Sequence, residues 1–260
     1  MMRVALCGLG RAGKEVARTL LDEKNQDFSL ACAFCRPGSE KANMDIGDLV
    51  HMPTAGILVK EIEEADEILA TGNTDVVIDF SSHVASMQLM LSCQKYGVGL
   101  VVCTTGFDKE ELAFMKELAQ TKTFGLVYAP NVTLGVNVLI NLAQNAARKL
   151  PEFDYQITER HHRNKVDPVS ATAIKIADSV KRSLPCNDNK EVSINAVRAG
   201  GYIGYHEVLI VGENERISII HESFSRRAFA EGAIRAAKFV KGKKGYYEMR
   251  DVLNEQPAIQ

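Results

Sequence analysis

The sequence predicts an α/β fold: a parallel sheet covered by helices on both faces, followed by a second unit of α+β type. Three observations carry that prediction. Short, almost wholly apolar runs alternate with helix-patterned segments up to about residue 130, the signature of strands buried on both faces. The first such run enters a glycine-rich turn that opens directly into a helical pattern. Beyond Asn131 the strand-like runs alternate apolar with polar residues, as in a sheet exposed on one face.

Taken in order, Arg3 to Cys7 is the first strand, followed by Gly8-Leu9-Gly10-Arg11-Ala12-Gly13 and then by Lys14 to Leu21 with helical spacing. In a G-x-G-x-x-G turn the first glycine permits the tight turn and the second lets backbone approach a pyrophosphate. The third lets the helix pack closely on the strand, so that the helix N-terminus faces the phosphate charge. This context predicts a Rossmann-type dinucleotide-binding unit. The second strand, Phe28 to Phe34, leads into Cys35-Arg36-Pro37-Gly38-Ser39-Glu40-Lys41. An acid at the strand tip would bond the ribose hydroxyls of NAD and repel a 2′-phosphate. Arg36, with Ser39 and Lys41, offers donors and positive charge instead. NADPH is the expected preferred cofactor and NADH the second, with Glu40 an alternative ribose ligand should the loop be shifted.

Thr74 to Phe80, Val84 to Tyr96, Gly99 to Cys103, Lys109 to Gln120 and Phe124 to Ala129 read as strand, helix, strand, helix and strand. The polar strand ends Ser81, Thr104-Thr105-Gly106 and Pro130-Asn131 share the carboxyl edge, where open parallel sheets bind ligands. The expected cofactor site is therefore Gly8, Leu9, Gly10, Arg11, Ala12, Gly13, Arg36, Phe80, Ser81, Cys103, Thr104, Thr105, Ala129, Pro130, Asn131 and Val132. Leu134 to Leu150 reads as a long helix. Asp154 to Thr158, Glu191 to Arg198, Tyr205 to Gly212 and Glu215 to His221 read as strands, and Phe229 to Val240 as a helix that packs back onto the first unit before a short tail. Residues 1–130 with about 228–260 are expected to bind dinucleotide, and 131–227 to form the second domain.

The chemistry concentrates in Glu159-Arg160-His161-His162-Arg163-Asn164-Lys165-Val166-Asp167-Pro168-Val169-Ser170-Ala171-Thr172-Ala173. Five cationic or titratable side chains in the six residues from Arg160 to Lys165 would each need a partner if removed from water. The run is therefore expected to be an exposed anion-binding loop followed by a helix that starts at Ser170 or Thr172. The first N–H groups of that helix would face the same anion as Lys165.

The formal net charge of −2 argues against nucleic acid as a bulk partner. No apolar stretch reaches spanning length and the N-terminus is already strand-like, so a cytoplasmic enzyme without a membrane partner is expected. Six scattered cysteines, Cys7, Cys32, Cys35, Cys93, Cys103 and Cys186, suit reduced thiols. Cys32 and Cys35 form a C-x-x-C, but within an apolar strand and without a second pair, so no metal centre is expected.

The chain resembles the dihydrodipicolinate reductase family, now named 4-hydroxy-tetrahydrodipicolinate reductase. The matching segments run in order: the glycine turn with Arg11, Asp79-Phe80-Ser81, Thr104-Thr105-Gly106-Phe107, Asn131 with Gly135-Val136-Asn137, and the histidine run. Arg198-Ala199-Gly200, Gly204 with His206, His221 through Arg226, Phe229-Ala230 with Gly232, and Met249 to Leu253 follow. The resemblance implies NAD(P)H-dependent reduction of a cyclic imine dicarboxylate in lysine and diaminopimelate synthesis, by a homotetramer whose second domain binds substrate and builds the assembly. It implies His161 as proton donor, Lys165 as the catalytic lysine, and His162, the Ala171 amide and Thr172 as substrate ligands. The reaction itself asks for hydride at one carbon and a proton elsewhere, supplied or relayed by His161 or Lys165. Ser170 and Thr104 are further expected substrate contacts. The usual Pro-Ser-Gly-Thr stands here as Val169-Ser170-Ala171-Thr172, and Cys103 replaces the usual glycine before the two threonines. A paralogous reductase of another imine or oxo acid, or a non-catalytic nucleotide sensor, are the competing readings.

Overall fold

The computed structural model describes residues 1–22, 27–185 and 190–255. The first half of the chain forms β1 (Met2–Cys7), α1 (Arg11–Leu21), β2 (Phe28–Cys35), α2 (Ile46–Leu49), β3 (Val59–Glu61), a 3-10 turn at Ile62–Glu64, α3 (Ala65–Ala70), β4 (Val76–Asp79), α4 (His83–Tyr96), β5 (Gly99–Val102), α5 (Lys109–Gln120) and β6 (Gly125–Tyr128). The second half forms α6 (Leu134–Lys149), β7 (Asp154–His161), α7 (Ala171–Lys181), β8 (Ser193–Arg198), β9 (Gly204–Val211), β10 (Arg216–Ser223), α8 (Arg227–Val240), β11 (Gly245–Glu248) and α9 (Met249–Asn254). Two compact units result, Met1–Val132 with Phe229–Gln260, and Thr133–Ala228.

In the first unit seven strands form one sheet in the order β11-β6-β5-β4-β1-β2-β3, with every pair parallel. Strand β1 lies between β2 and β4, so the order reverses there and the carboxyl ends of β1 and β4 flank a crevice. The strands are apolar throughout because helices cover both faces. Val4, Leu6, Val77, Ile78, Leu100 and Leu126 are fully buried. Helix α4 starts at Ser82, whose hydroxyl accepts from the Ala85 N–H, and stops at the left-handed Gly97.

The expected tail is not irregular: β11 adds the edge strand beside β6, and α9 follows it. Its strand is only four residues of Gly-Tyr-Tyr-Glu after a lysine-rich turn, too short to show periodicity. The helix start was legible as a capping box, in which Glu248 and Asp251 satisfy each other's backbone N–H groups. The segment between β2 and β4 holds α2, β3 and α3. Cys7, Cys32, Cys35, Cys93 and Cys103 are buried free thiols, and Cys186 lies outside the described residues.

The second unit is a four-stranded sheet in the order β10-β9-β7-β8. The β7–β9 and β9–β10 pairs are antiparallel and β7–β8 is parallel. Helices α6 and α7 close one face over a core of Val136, Leu139, Ile140, Tyr155, Ile157, Ile176, Val180, Val208 and Ile210. Along β7 every second residue points into this core: Tyr155, Ile157 and then Glu159.

Candidate active site

In the first unit a cavity of about 530 Å³ lies at the carboxyl ends of β1, β2 and β4. Of the expected cofactor residues, Gly8, Leu9, Gly10, Arg36, Phe80 and Ser81 line it, and Ser39 and Lys41 join them. Gly8 has φ +88, and a β-carbon on it would lie 2.7 Å from the Ser81 nitrogen. Gly10, by contrast, has nothing within 4 Å of where its β-carbon would stand, which leaves room for a phosphate against bare backbone. Lys41 Nζ donates to the Leu9 carbonyl at 3.0 Å, so its charge is held across the glycine turn. Glu40 is exposed and is not part of the cavity lining, whereas Arg36 is. These features fit a dinucleotide.

The remaining expected cofactor residues do not line this cavity. Gly13 packs against Gly8, and Arg11 and Ala12 are in the first turn of α1. Cys103, Ala129, Asn131 and Val132 are buried, whereas Pro130 is half-buried and Thr105 is exposed. Thr104 is buried and its hydroxyl donates to Asp79 Oδ2 at 2.9 Å. Asp79 is wholly buried at the tip of β4, where it also accepts from the Ser81 N–H at 3.0 Å, the Ser81 hydroxyl at 2.5 Å and the Ser86 hydroxyl. Burial pushes its carboxyl above the usual range, against the pull of these donors. Asp79 thus ties the loop after β4 to the loop after β5.

Only the start of the histidine run departs from the exposed loop that its charge predicted: residues 159–161 complete a strand, whereas 162–169 form a largely exposed loop that leads into the expected helix. Strand β7 continues through His161, because Glu159 and His161 are the last two core-facing positions of a strand whose earlier ones are Tyr155 and Ile157. Register explains how charged residues can be buried there. Glu159 pairs with His206 on β9 and Ala196 on β8, and His206 in turn pairs with His221 on β10. Next to this row, His161 pairs with Arg198. The apolar core face of the sheet therefore ends in a patch of His221, His206, Glu159, His161 and Arg198. Arg198 on β8 reaches Glu159 on β7 across the strands, so that the buried carboxylate meets a guanidinium rather than water.

Glu159 is fully buried. Its Oε1 accepts from Arg198 Nη2 at 2.7 Å and from the Ser170 N–H at 3.0 Å, and its Oε2 lies against His161 Nδ1. Burial alone would raise its carboxyl; Arg198, the Ser170 N–H and His161 outweigh that and hold it below the usual value. His161 shifts downward because burial outweighs the attraction of Glu159. His206, 3% exposed, is pushed down to about 3, chiefly by burial and then by the charge of His161. Its ring meets that of His161 edge to face at 5.4 Å. Glu159, His161 and His206 bring potential ligand atoms within 4.8 Å of one another, but Arg198 already supplies the positive charge that a cation would bring.

Arg198 also donates to the carbonyls of Asp167 and Pro168 at 2.9 and 3.0 Å, which pins the loop between β7 and α7. On that loop Lys165 Nζ pairs with Asp167 Oδ2 at 2.8 Å, and the Lys165 N–H donates to the His162 carbonyl at 3.0 Å. Ser170, expected both as a start of the helix and as an anion ligand, is the N-cap of α7, its hydroxyl accepting from the Ala173 N–H at 3.1 Å, and is only 3% exposed. Ala171 is exposed and Thr172 half-buried on the first turn of that helix. Glu159, Arg198 and His206 were quoted in the sequence but not singled out for the site. The i, i+2 phase of Tyr155, Ile157, Glu159 and His161 on one strand could have found Glu159, whereas Arg198 and His206 are brought in by register.

Comparison with known proteins agrees with this two-part construction. Residues 2–132 match the model described as dihydrodipicolinate reductase, N-terminus, and residues 135–253 the one described as its C-terminus. The chain is 36% identical to the 4-hydroxy-tetrahydrodipicolinate reductase of Ralstonia nicotianae, over 97% of this chain and 99% of that one. It is 32% identical to the enzyme of that name from Methanocaldococcus jannaschii, over 97% of both. The solved structure of dipicolinate-bound dihydrodipicolinate reductase from Paenisporosarcina sp. TG-14 is similar at TM-score 0.77 and 26% identity, covering 95% of this chain and 97% of that one. The resemblance read from the sequence is thereby borne out: the chain belongs to the dihydrodipicolinate reductase family.

Proposed function

We propose that the chain reduces 4-hydroxy-tetrahydrodipicolinate to tetrahydrodipicolinate with NAD(P)H, as a cytoplasmic step of lysine and diaminopimelate synthesis. The observation that carries this reading is the buried cluster at the end of β7, which joins Glu159, His161 and Arg198 to the loop bearing Lys165. A bound reduced nicotinamide supplies the hydride. Everything else falls to the chain's own side chains.

Lys165, the Ala171 N–H, Thr172 and His162 are the proposed ligands of substrate carboxylates, the first by charge and the helix-start N–H by its unsatisfied donor. Ala171 keeps the backbone donor that glycine provides in most of the family. His161 is the proposed proton donor: an imidazole held below its usual value gives up a proton readily once charged. Arg36 with Lys41 supports NADPH as the preferred cofactor, since both put positive charge at the edge of the cavity. The bound dipicolinate of the similar Paenisporosarcina structure supports a cyclic dicarboxylate as the ligand class.

A homotetramer is proposed for the assembly, supported by exposed apolar residues Ile217 and Ile220 on β10, an edge strand of the second sheet. The decisive experiment is NADPH and NADH oxidation with freshly generated dihydrodipicolinate synthase product. Turnover that depends on this product supports the reading, and its absence with both cofactors rejects it.

A further inference from the structure

We propose that Glu159 is the positioning residue of the reductase site, its buried carboxylate holding the His161 imidazole by Nδ1 so that Nε2 is the nitrogen left for proton transfer. The inference rests on the proposed reductase reading and deepens it. Glu159 divides its two oxygens between two tasks. Oε1 takes both fixed donors, Arg198 Nη2 and the Ser170 N–H. Oε2 faces His161 Nδ1, and neither of these two atoms has another hydrogen-bond partner among the described residues. The pair is in ion contact but off hydrogen-bond geometry, as acid–base pairs often are before substrate arrives.

A carboxylate needed only to neutralise Arg198 could do so from the rim. Burying an ion pair adds little stability compared with an apolar pair of the same volume, so stability alone does not account for a fully buried Glu159. Its position does: i, i+2 on β7 places its side chain beside that of His161 on the core face. At the other end of the imidazole, Nε2 faces Gly204 of the opposite strand. Gly204 carries no side chain, whereas a β-carbon there would come into contact with His161 Nε2 at 3.5 Å. Through Arg198 the same carboxylate is tied to the Asp167 and Pro168 carbonyls, hence to the loop of Lys165. The groups facing the pair are His206 from β9, Arg198 from β8, Ser170 from the start of α7, and Lys165 with Asp167 from the loop. Beyond His206, His221 completes the row from β10.

The test is Glu159→Gln in the full chain, beside Glu159→Asp. The amide keeps an acceptor for Arg198 and Ser170 but turns a donor toward Nδ1, which favours the other tautomer of His161. We expect kcat to fall roughly 10²-fold or more, NADPH affinity to stay near wild type, and the pH-profile limb that vanishes in His161→Gln to move to lower pH. Glu159→Asp should recover part of kcat. Unchanged kcat and an unchanged pH profile in Glu159→Gln overturn the proposal. Should that variant fail to fold, nitrogen-15 spectra of histidine-labelled wild type decide, with His161→Gln giving the assignment. A neutral His161 protonated at Nδ1 supports the proposal, and one protonated at Nε2 overturns it. The spectra do not depend on turnover, so failure of the reductase reading is distinguished from failure of this one.

Discussion

Gly13 packs so closely on Gly8 that a β-carbon at position 13 would overlap the Gly8 carbonyl oxygen. This contact fixes α1 against the end of β1, while Gly10 has nothing within 4 Å of where its β-carbon would stand. The three glycines of one motif thus differ in their surroundings: Gly8 and Gly13 meet neighbouring backbone, whereas Gly10 faces open space. Gly13→Ala should lower stability by an overpacking cost of about 1–3 kcal/mol. Gly10→Ala should melt like wild type but bind NADPH much more weakly. Thermal melts combined with dinucleotide titration check this, and equal melting of the two variants contradicts it.

Arg36 lines the cofactor cavity beside Lys41. Charge-assisted bonds to a 2′-phosphate are worth about 1.5–3 kcal/mol. Arg36→Ala should therefore weaken NADPH roughly ten- to a hundredfold while leaving NADH nearly untouched. Dissociation constants for the two cofactors decide, and an equal loss for both would assign Arg36 to the adenine instead.

His161→Ala and Lys165→Ala should each reduce kcat by roughly 10²-fold or more with NADPH binding preserved. Their stabilities should differ. Loss of His161 strands Glu159 Oε2 in the interior, at about 1–3 kcal/mol. The Lys165–Asp167 pair has an Asp167 side chain 67% exposed, so its loss should scarcely move the melting temperature. Single-turnover rates and melting curves test both halves, and near-wild-type turnover in both variants rejects the mechanism.

His206 is pushed down to about 3 from an ordinary 6.5, chiefly by burial. Below about 6.5 the unfolded chain takes up a proton that the folded one refuses, so stability falls as pH drops through that range and the loss ends near the folded value. The slope from one such group is at most about 1.4 kcal/mol per pH unit. His206→Gln should flatten the acid side of the stability profile by that amount. Urea midpoints between pH 7 and 5 measure it, and parallel profiles for the two proteins would show that His206 is not held neutral.

The sequence by itself determined the parallel sheet, the dinucleotide turn and the change to a second kind of sheet. In each case the signal is local: a continuous apolar run, a glycine at a position that admits no β-carbon, an alternation of period two. The helix read at Lys109 to Gln120 has the same bounds in the structure, where Asp108 and Glu111 form a capping box at its start. The burial of Glu159 was not legible, since five cationic or titratable side chains in the next six residues look the same in an exposed loop and at a strand end. Only strand register decided between them. It set His206 and Arg198, 47 and 39 residues downstream of Glu159 by sequence number, on the neighbouring strands, and a buried charge is tolerable only where such distant partners converge.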